Sequence, residues 1–155
     1  EPEMARIVRA LATEFPDKEI LLQMKSGYLD PTKSDAYIAS WCDSLPNIRP
    51  VSGDIYLLLE KAEYLISDVS SLIAEGVQLG VKTFFADVID QEYSIFREFP
   101  GLSQSSAKDI VKKVKAIENG AAVYPTTEYI KFMGLEHGLN IYDIVRQDVG
   151  LPPSN

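Results

Sequence analysis

Three short, almost uninterrupted apolar runs constrain this chain more than any other feature. They are residues 19–24 (EILLQM), 64–66 (YLI) and 82–86 (KTFFA). A strand that is apolar along its whole length is buried on both faces, which is the habit of parallel sheets covered by helices. A fourth run, 47–51 (NIRPV), is weaker. Its Pro50 cannot donate to a ladder, which assigns it to a sheet edge or a strand end.

The stretches between these runs carry helical spacing. In 2–15, Met4, Ile7, Val8, Leu11 and Phe15 recur at three and four residues, with Pro2 near the first turn and Phe15-Pro16-Asp17 as the stop. A second helix starts at Ser52-Gly53-Asp54 and runs to about Ala62. A third covers 72–79 and is halted by Gly80. A fourth covers 105–118, with Ser105 or Ser106 as its N-cap and Asn119-Gly120 closing it. Thr126 or Thr127 is expected to cap a fifth, reaching about Leu135, and a last helix spans 140–148. Residues 28–46 read as a long irregular connection with a short helix at 34–42, and 151–155 as a frayed tail.

Strands alternating with helices of this length imply βαβ units with right-handed crossovers. The fold expected is a single α/β domain over 1–150: a Rossmann-like parallel sheet with flanking helices and a helical C-terminal extension. The 155 residues suit one domain. The formal net charge of -8 and a sequence pI near 4.6 argue against a general nucleic-acid binder. Any phosphate must then be held locally, by backbone amides or a few placed cations. A single cysteine, Cys42, precludes an intrachain disulfide and makes the cytosol the default compartment. No apolar run approaches the roughly 20 residues needed to span a bilayer. Glu1-Pro2-Glu3 has the character of neither a signal peptide nor a natural start, and the chain reads as a piece of a longer protein.

Open parallel sheets bind ligands off the carboxyl ends of their strands. Three loops qualify: Lys25-Ser26-Gly27, Ser52-Gly53-Asp54, and Ser67-Asp68-Val69-Ser70-Ser71. The third is the richest. Ser70 and Ser71 stand at a helix start, where unpaired N–H groups and the helix dipole favour an anion. Glu75 lies one turn on, on the same face, where its carboxylate can accept from sugar hydroxyls. The plainer reading is that the serines cap the helix and Glu75 is solvated.

Residues 55–87 (IYLLLEKAEYLISDVSSLIAEGVQLGVKTFFAD) resemble the donor-binding half of GT-B glycosyltransferases, and in particular the CDP-glycerol glycerophosphotransferases of teichoic-acid and capsule synthesis. The resemblance rests on Ala62-Glu63-Tyr64-Leu65-Ile66-Ser67-Asp68, on Ser70-Ser71, and on Leu79-Gly80-Val81-Lys82. It implies a diphosphate held at the serine-bearing helix start, with Glu75 on the ribose. It also places Lys25-Ser26-Gly27 and Ser52-Gly53-Asp54 beside the same cleft, and implies no bound metal or cofactor beyond a CDP- or UDP-linked donor. Lys25 or Lys82 would supply local positive charge. Such an enzyme would work in the cytoplasm, peripheral to the inner membrane face, with an N-terminal acceptor domain and a first strand that this chain lacks.

The chain also departs from that pattern. Lys25-Ser26 stands where a His-Pro pair is usual, and Val81-Lys82 replaces Lys-Pro. The only histidine, His137, lies far away and reads as a helix C-terminal cap, so no general base is assigned. Trp41 and Cys42 read as packing residues. Lys108, Lys112, Lys113 and Lys115 read as a solvated helix face, the alternative being an anionic-lipid contact. Tyr93, Phe96 and Phe99 either line a base pocket or cover the sheet's end. Two other functions fit the same residues: a non-catalytic α/β binding or scaffold module, and a sugar-nucleotide epimerase-like domain. The latter ranks lower, since epimerases favour a Gly-rich turn followed by paired acids.

Overall fold

In a computed structural model the chain is a mixed α/β protein with two small parallel sheets and flanking helices. The structure describes residues 3–23, 40, 44–51, 53–68, 71–88, 95–99, 101–134 and 150. The expected elements at 34–42 (Ser40 apart) and 140–148, and the residues Lys25, Ser26, Gly27, Trp41, Cys42, Ser52, Ser70, Tyr93 and His137, lie outside them.

Helix α1 (Glu3–Glu14) buries Ala5, Ile7, Val8, Leu11 and Ala12, the face its spacing predicts. Its end and the turn after it are closed by a side chain from outside the helix. The Asn47 amide donates to the carbonyls of Ala12 at 2.9 Å, and of Phe15 and Lys18 at 3.2 Å each. Strand β1 (Ile20–Gln23) follows and pairs in parallel with β2 (Ile48–Val51). As Pro50 requires, β2 is an edge strand, bonded to β1 alone among the described residues.

Helix α2 (Ile55–Leu59) is shorter than expected. Its N-cap is Asp54, whose carboxylate accepts from the Tyr56 amide at 2.9 Å. Strand β3 (Tyr64–Ser67), helix α3 (Leu72–Gln78) and strand β4 (Lys82–Ala86) follow in order. Gly80 ends α3 as expected. With φ of 79°, it lets its own amide reach the Val77 carbonyl and the Val81 amide reach that of Gly76. A 3-10 turn (Ile95–Glu98) leads to β5 (Ser103–Gln104), which the sequence reading missed because two residues carry no periodicity.

Helix α4 (Ala107–Glu118) is capped by Ser106, whose hydroxyl accepts from the Asp109 amide at 3.1 Å. Helix α5 (Thr126–Phe132) corrects an expectation. Neither threonine caps it; Pro125 holds the N-cap position and no side-chain cap bond forms.

The described strands do not form the one continuous sheet expected. They form two ladders, β2–β1 and β3–β4–β5, every pairing parallel. Helix α3 covers the face of the larger sheet that carries Leu65 and Thr83, against which Gly76 is packed. Helix α4 covers the opposite face, where the Tyr64 hydroxyl donates to Glu118 at 2.6 Å. Helix α1 packs on α4 and joins both sheets. Its Ile7 and Leu11 enter the main core with Ile73, Val77, Phe84, Phe85, Leu102 and Ile110, while Val8 and Ala12 pack on Ile48, Ile20 and Leu22.

Candidate functional site

The carboxyl ends of β1 and β2 are tied by a hydrogen bond, and Tyr56, just beyond β2, brings them next to the helix that follows β3. From the last residue of β1, the Gln23 amide donates to the Gly53 carbonyl at 3.3 Å, beyond the end of β2. One turn along, Tyr56 of α2 stands beside Glu75 of α3. The Glu75 carboxylate holds the Tyr56 phenol above its ordinary value. Gly53 and Asp54, from one loop, and Glu75, on the helix after another, thus stand in one neighbourhood.

Ser67 and Asp68 end β3 half-buried. No hydrogen bond or ion pair joins the Asp68 carboxylate to another described residue. Ser71 occupies the N-cap position of α3 but makes no side-chain cap bond. The reason is its backbone. A capping side chain reaches the second or third amide from an extended residue, and Ser71 is helical, with φ of -58° and ψ of -20°. Its exposed hydroxyl is therefore not engaged in capping, which removes the plainer reading for this serine. Glu75 sits in the first turn of α3, half-buried, with Tyr56 nearby.

Two residues of this corner were missed in the sequence. Tyr56 lies off the apolar face of α2, and only its neighbour on α3 gives it a role. Gln23 reads as one polar position in an apolar strand, yet its side chain joins two loops.

Other expectations move elsewhere. Lys82 opens β4 at the amino end of the strands, with its ammonium 5.2 Å from the centre of the Tyr64 ring, so it is far from the serine loop and supplies no charge there. Phe96 is buried, 5.8 Å from the Phe85 ring and 6.5 Å from Phe99, which in turn meets Phe132 at 6.1 Å. These rings pack on one another at the sheet's end. Lys108, Lys112, Lys113 and Lys115 are exposed on α4, and Lys115 pairs with Glu14 of α1. A shallow groove runs along that helix past Lys108, Lys112 and Lys115, remote from the serine loop.

At the carboxyl end of β4, Asp87 takes two bonds from Arg97, at 2.6 and 2.7 Å. Those bonds hold its carboxyl below the ordinary range against the opposing effect of burial. This pair fastens the 3-10 turn to the sheet.

Among the described residues no three His, Cys, Asp or Glu side chains group as metal ligands, and no helix is long and apolar enough to cross a membrane. No family model, curated protein or solved structure matches this chain.

Proposed function

We propose that this chain is a Rossmann-like donor-nucleotide-binding half of a GT-B transferase. The parent enzyme would move a sugar or alditol phosphate from a CDP- or UDP-linked donor during bacterial capsule, teichoic-acid or surface-polysaccharide synthesis. One observation carries the reading: strands of both parallel ladders end near one corner, and a serine hydroxyl there makes no capping bond.

In this reading Ser71, Ser70 and nearby backbone amides hold the donor diphosphate, and Glu75 receives the ribose hydroxyls. Tyr56 stands beside the Glu75 carboxylate and would border the ribose. Lys25 is the remaining candidate for local positive charge. Catalysis needs a second, acceptor-binding domain, and work at the inner membrane face fits the polymer substrate.

A second reading also draws on the structure. Glu75 already has the Tyr56 side chain beside it, which suits a non-catalytic module that keeps only the fold. A thermal-shift titration with CDP, UDP, GDP and ADP separates the two. A bound nucleotide in hundredfold excess over Kd stabilises the folded chain by about 2.7 kcal/mol. The expected result is a shift with CDP or UDP that Ser71→Ala and Glu75→Gln each reduce. A flat response to all four nucleotides would sink the transferase reading and leave the scaffold.

A further inference from the structure

Asn119 and Gly120 follow the last residue of α4, and nowhere else in the chain does an asparagine precede a glycine. Such a pair has a chemistry of its own. The backbone nitrogen that follows an asparagine can attack the carbon of its side-chain amide and close a five-membered ring. A side chain on the following residue crowds that nitrogen, and glycine has none. Asn119 and Gly120 are both exposed, and a Cβ built on Gly120 would meet nothing within 4 Å. Water and space are therefore at hand.

The fold prepares one half of this reaction and blocks the other. The Ala121 amide donates to Asn119 Oδ1 at 3.0 Å. A donor there stabilises the negative charge that grows on this oxygen as its carbon is attacked. The nucleophile is turned away. Ring closure needs the Gly120 nitrogen to eclipse Asn119 Cβ about the Cα–C bond. With ψ of 4° at Asn119, it eclipses the Asn119 backbone nitrogen instead. Its N–H is also engaged, donating to the Ile117 carbonyl at 3.1 Å. Beyond the pair, the Ala122 amide donates to the Ala116 carbonyl at 2.9 Å and fastens the chain back onto the helix. Turning Asn119 towards closure breaks the Gly120 and Ala122 bonds together.

We propose that Asn119-Gly120 is a self-modification site controlled by the end of α4. While the turn is closed the pair is inert. When the turn opens, the Gly120 nitrogen bonds to Asn119 Cγ and gives up its proton. The bond from Cγ to the side-chain nitrogen breaks, and ammonia leaves with that proton. Water then adds to one of the two carbonyls of the resulting succinimide and cleaves its bond to nitrogen. Opening at Cγ leaves aspartate, and opening at the backbone carbonyl leaves isoaspartate, whose main chain runs through Cβ. Water is the only co-reactant. Either product sets a carboxylate at the negative end of the α4 dipole, next to Glu118. Isoaspartate also lengthens the main chain just ahead of Tyr124, whose hydroxyl donates to the Thr83 carbonyl inside the core. The modified chain is therefore less stable, and the loss of ammonia makes the change one-way. None of this depends on nucleotide binding.

Peptide mapping by mass spectrometry tests it on the full chain at mildly alkaline pH, with enzymatic methylation of isoaspartate as a second readout. Conversion at Asn119 should be at least about tenfold slower in the folded chain than in the chain unfolded by urea, since only the opened fraction reacts. Asn119→Gln, which would have to close a larger ring, should yield no product at this position in either state. Equal rates in the folded and unfolded chain would show that the turn controls nothing. No product in the unfolded chain would show that there is no site. Either result overturns the proposal.

A second measurement separates opening of the turn from unfolding of the whole chain. Ala122→Pro removes the amide that bonds to Ala116, and the folded variant should convert several-fold faster than the unmodified chain. The unmodified chain answers the same question should that variant not fold. In urea below the unfolding midpoint, conversion should rise in step with hydrogen exchange of the Gly120 amide while the core amides of Phe84 and Phe85 stay protected. Conversion that follows only the exchange of Phe84 and Phe85 would assign control to global unfolding and overturn the proposal.

Discussion

Gly76 sits where α3 crosses the larger sheet, and there a hydrogen is the largest group that fits. A Cβ on it would lie 2.7 Å from Leu65 Cδ2 and 2.7 Å from Thr83 Oγ1. Two effects compete on replacing it with alanine. Helix propensity favours alanine in a helix interior by about 1 kcal/mol. Overpacking a close-packed contact costs about 1–3 kcal/mol, and Thr83 cannot give way freely. It is fully buried, with its hydroxyl donating to the Val81 carbonyl at 2.9 Å, so moving it breaks a buried bond. Overpacking should therefore win. Gly76→Ala is expected to lower the urea midpoint by a net 1 kcal/mol or so, with the slope unchanged. A more stable variant would mean that α3 stands farther from the sheet than described. The Thr83 backbone shows the same economy of partners. Its carbonyl lies on the β5 side but beyond the two residues of that strand, and the Tyr124 hydroxyl donates to it at 2.5 Å. Burial pushes the Tyr124 phenol up, and the bond to Thr83 only partly opposes that.

At the scale of elements, how much could be read beforehand follows from what each signal is made of. The strands 20–23, 64–67 and 82–86 were visible because a buried parallel strand is apolar at every position. Gly80 and Ser106 were visible because the end of a helix demands a particular backbone or hydroxyl. The division into two ladders was not visible, since pairing partners leave no local mark on a strand. Nor were the closure of α1 by Asn47 or the approach of Tyr56 to Glu75, each joining residues distant in the chain. A third long-range joint has a pH signature. Lys18 of the α1–β1 turn meets Glu63 before β3 and Glu118 of α4, while Tyr64 donates to Glu118. The Tyr64 bond first, then Lys18, hold the Glu118 carboxyl below its ordinary 4.5 against burial. Its contribution is therefore present above pH 4.5 and is lost as the pH falls through the folded value. Burial first, then the bond to Glu118, raise the Tyr64 phenol above 10.0, and Glu63 raises the Lys18 ammonium above 10.5. Those contributions are present below pH 10 and are lost as the pH rises beyond it. Glu118→Gln should flatten the acid limb of the stability profile, and Tyr64→Phe the alkaline limb. The acid effect should stay well under about 1 kcal/mol, because solvent screens these partly exposed charges. Unchanged limbs in chemical denaturation across pH 2–11 would show that the joint contributes nothing.

For the whole molecule, α1 is the element on which unity depends. The larger sheet has helices on both faces and a broad aromatic core, with Phe84 against Tyr124 at 5.6 Å and Tyr124 against Tyr129 at 5.4 Å. The β1–β2 ladder has four residue pairs and a small cluster of its own, in which Val8, Ala12 and Ile48 are the buried members. A two-stranded ladder is marginal in water unless a helix covers it, so β1 and β2 hold their place mainly by the Val8 side of α1. The opposite side, through Ile7 and Leu11, anchors α1 to the larger core. Stability should then be uneven, with β1–β2 opening as a unit before the rest. Truncating Val8 to alanine removes two methyl groups from the weaker joint, at a cost of about 2 kcal/mol. Truncating Leu102, which is fully buried in the larger core, costs about 2–5 kcal/mol. Under this view Val8→Ala lowers the exchange protection of Leu22 in β1 and leaves that of Phe84 and Phe85 in β4 nearly intact. Leu102→Ala should lower all of them together, since opening the main core releases α1 and everything α1 holds. If Val8→Ala instead lowered every amide equally, the two sheets would be one cooperative unit, and α1 would be part of a single core rather than the link between two.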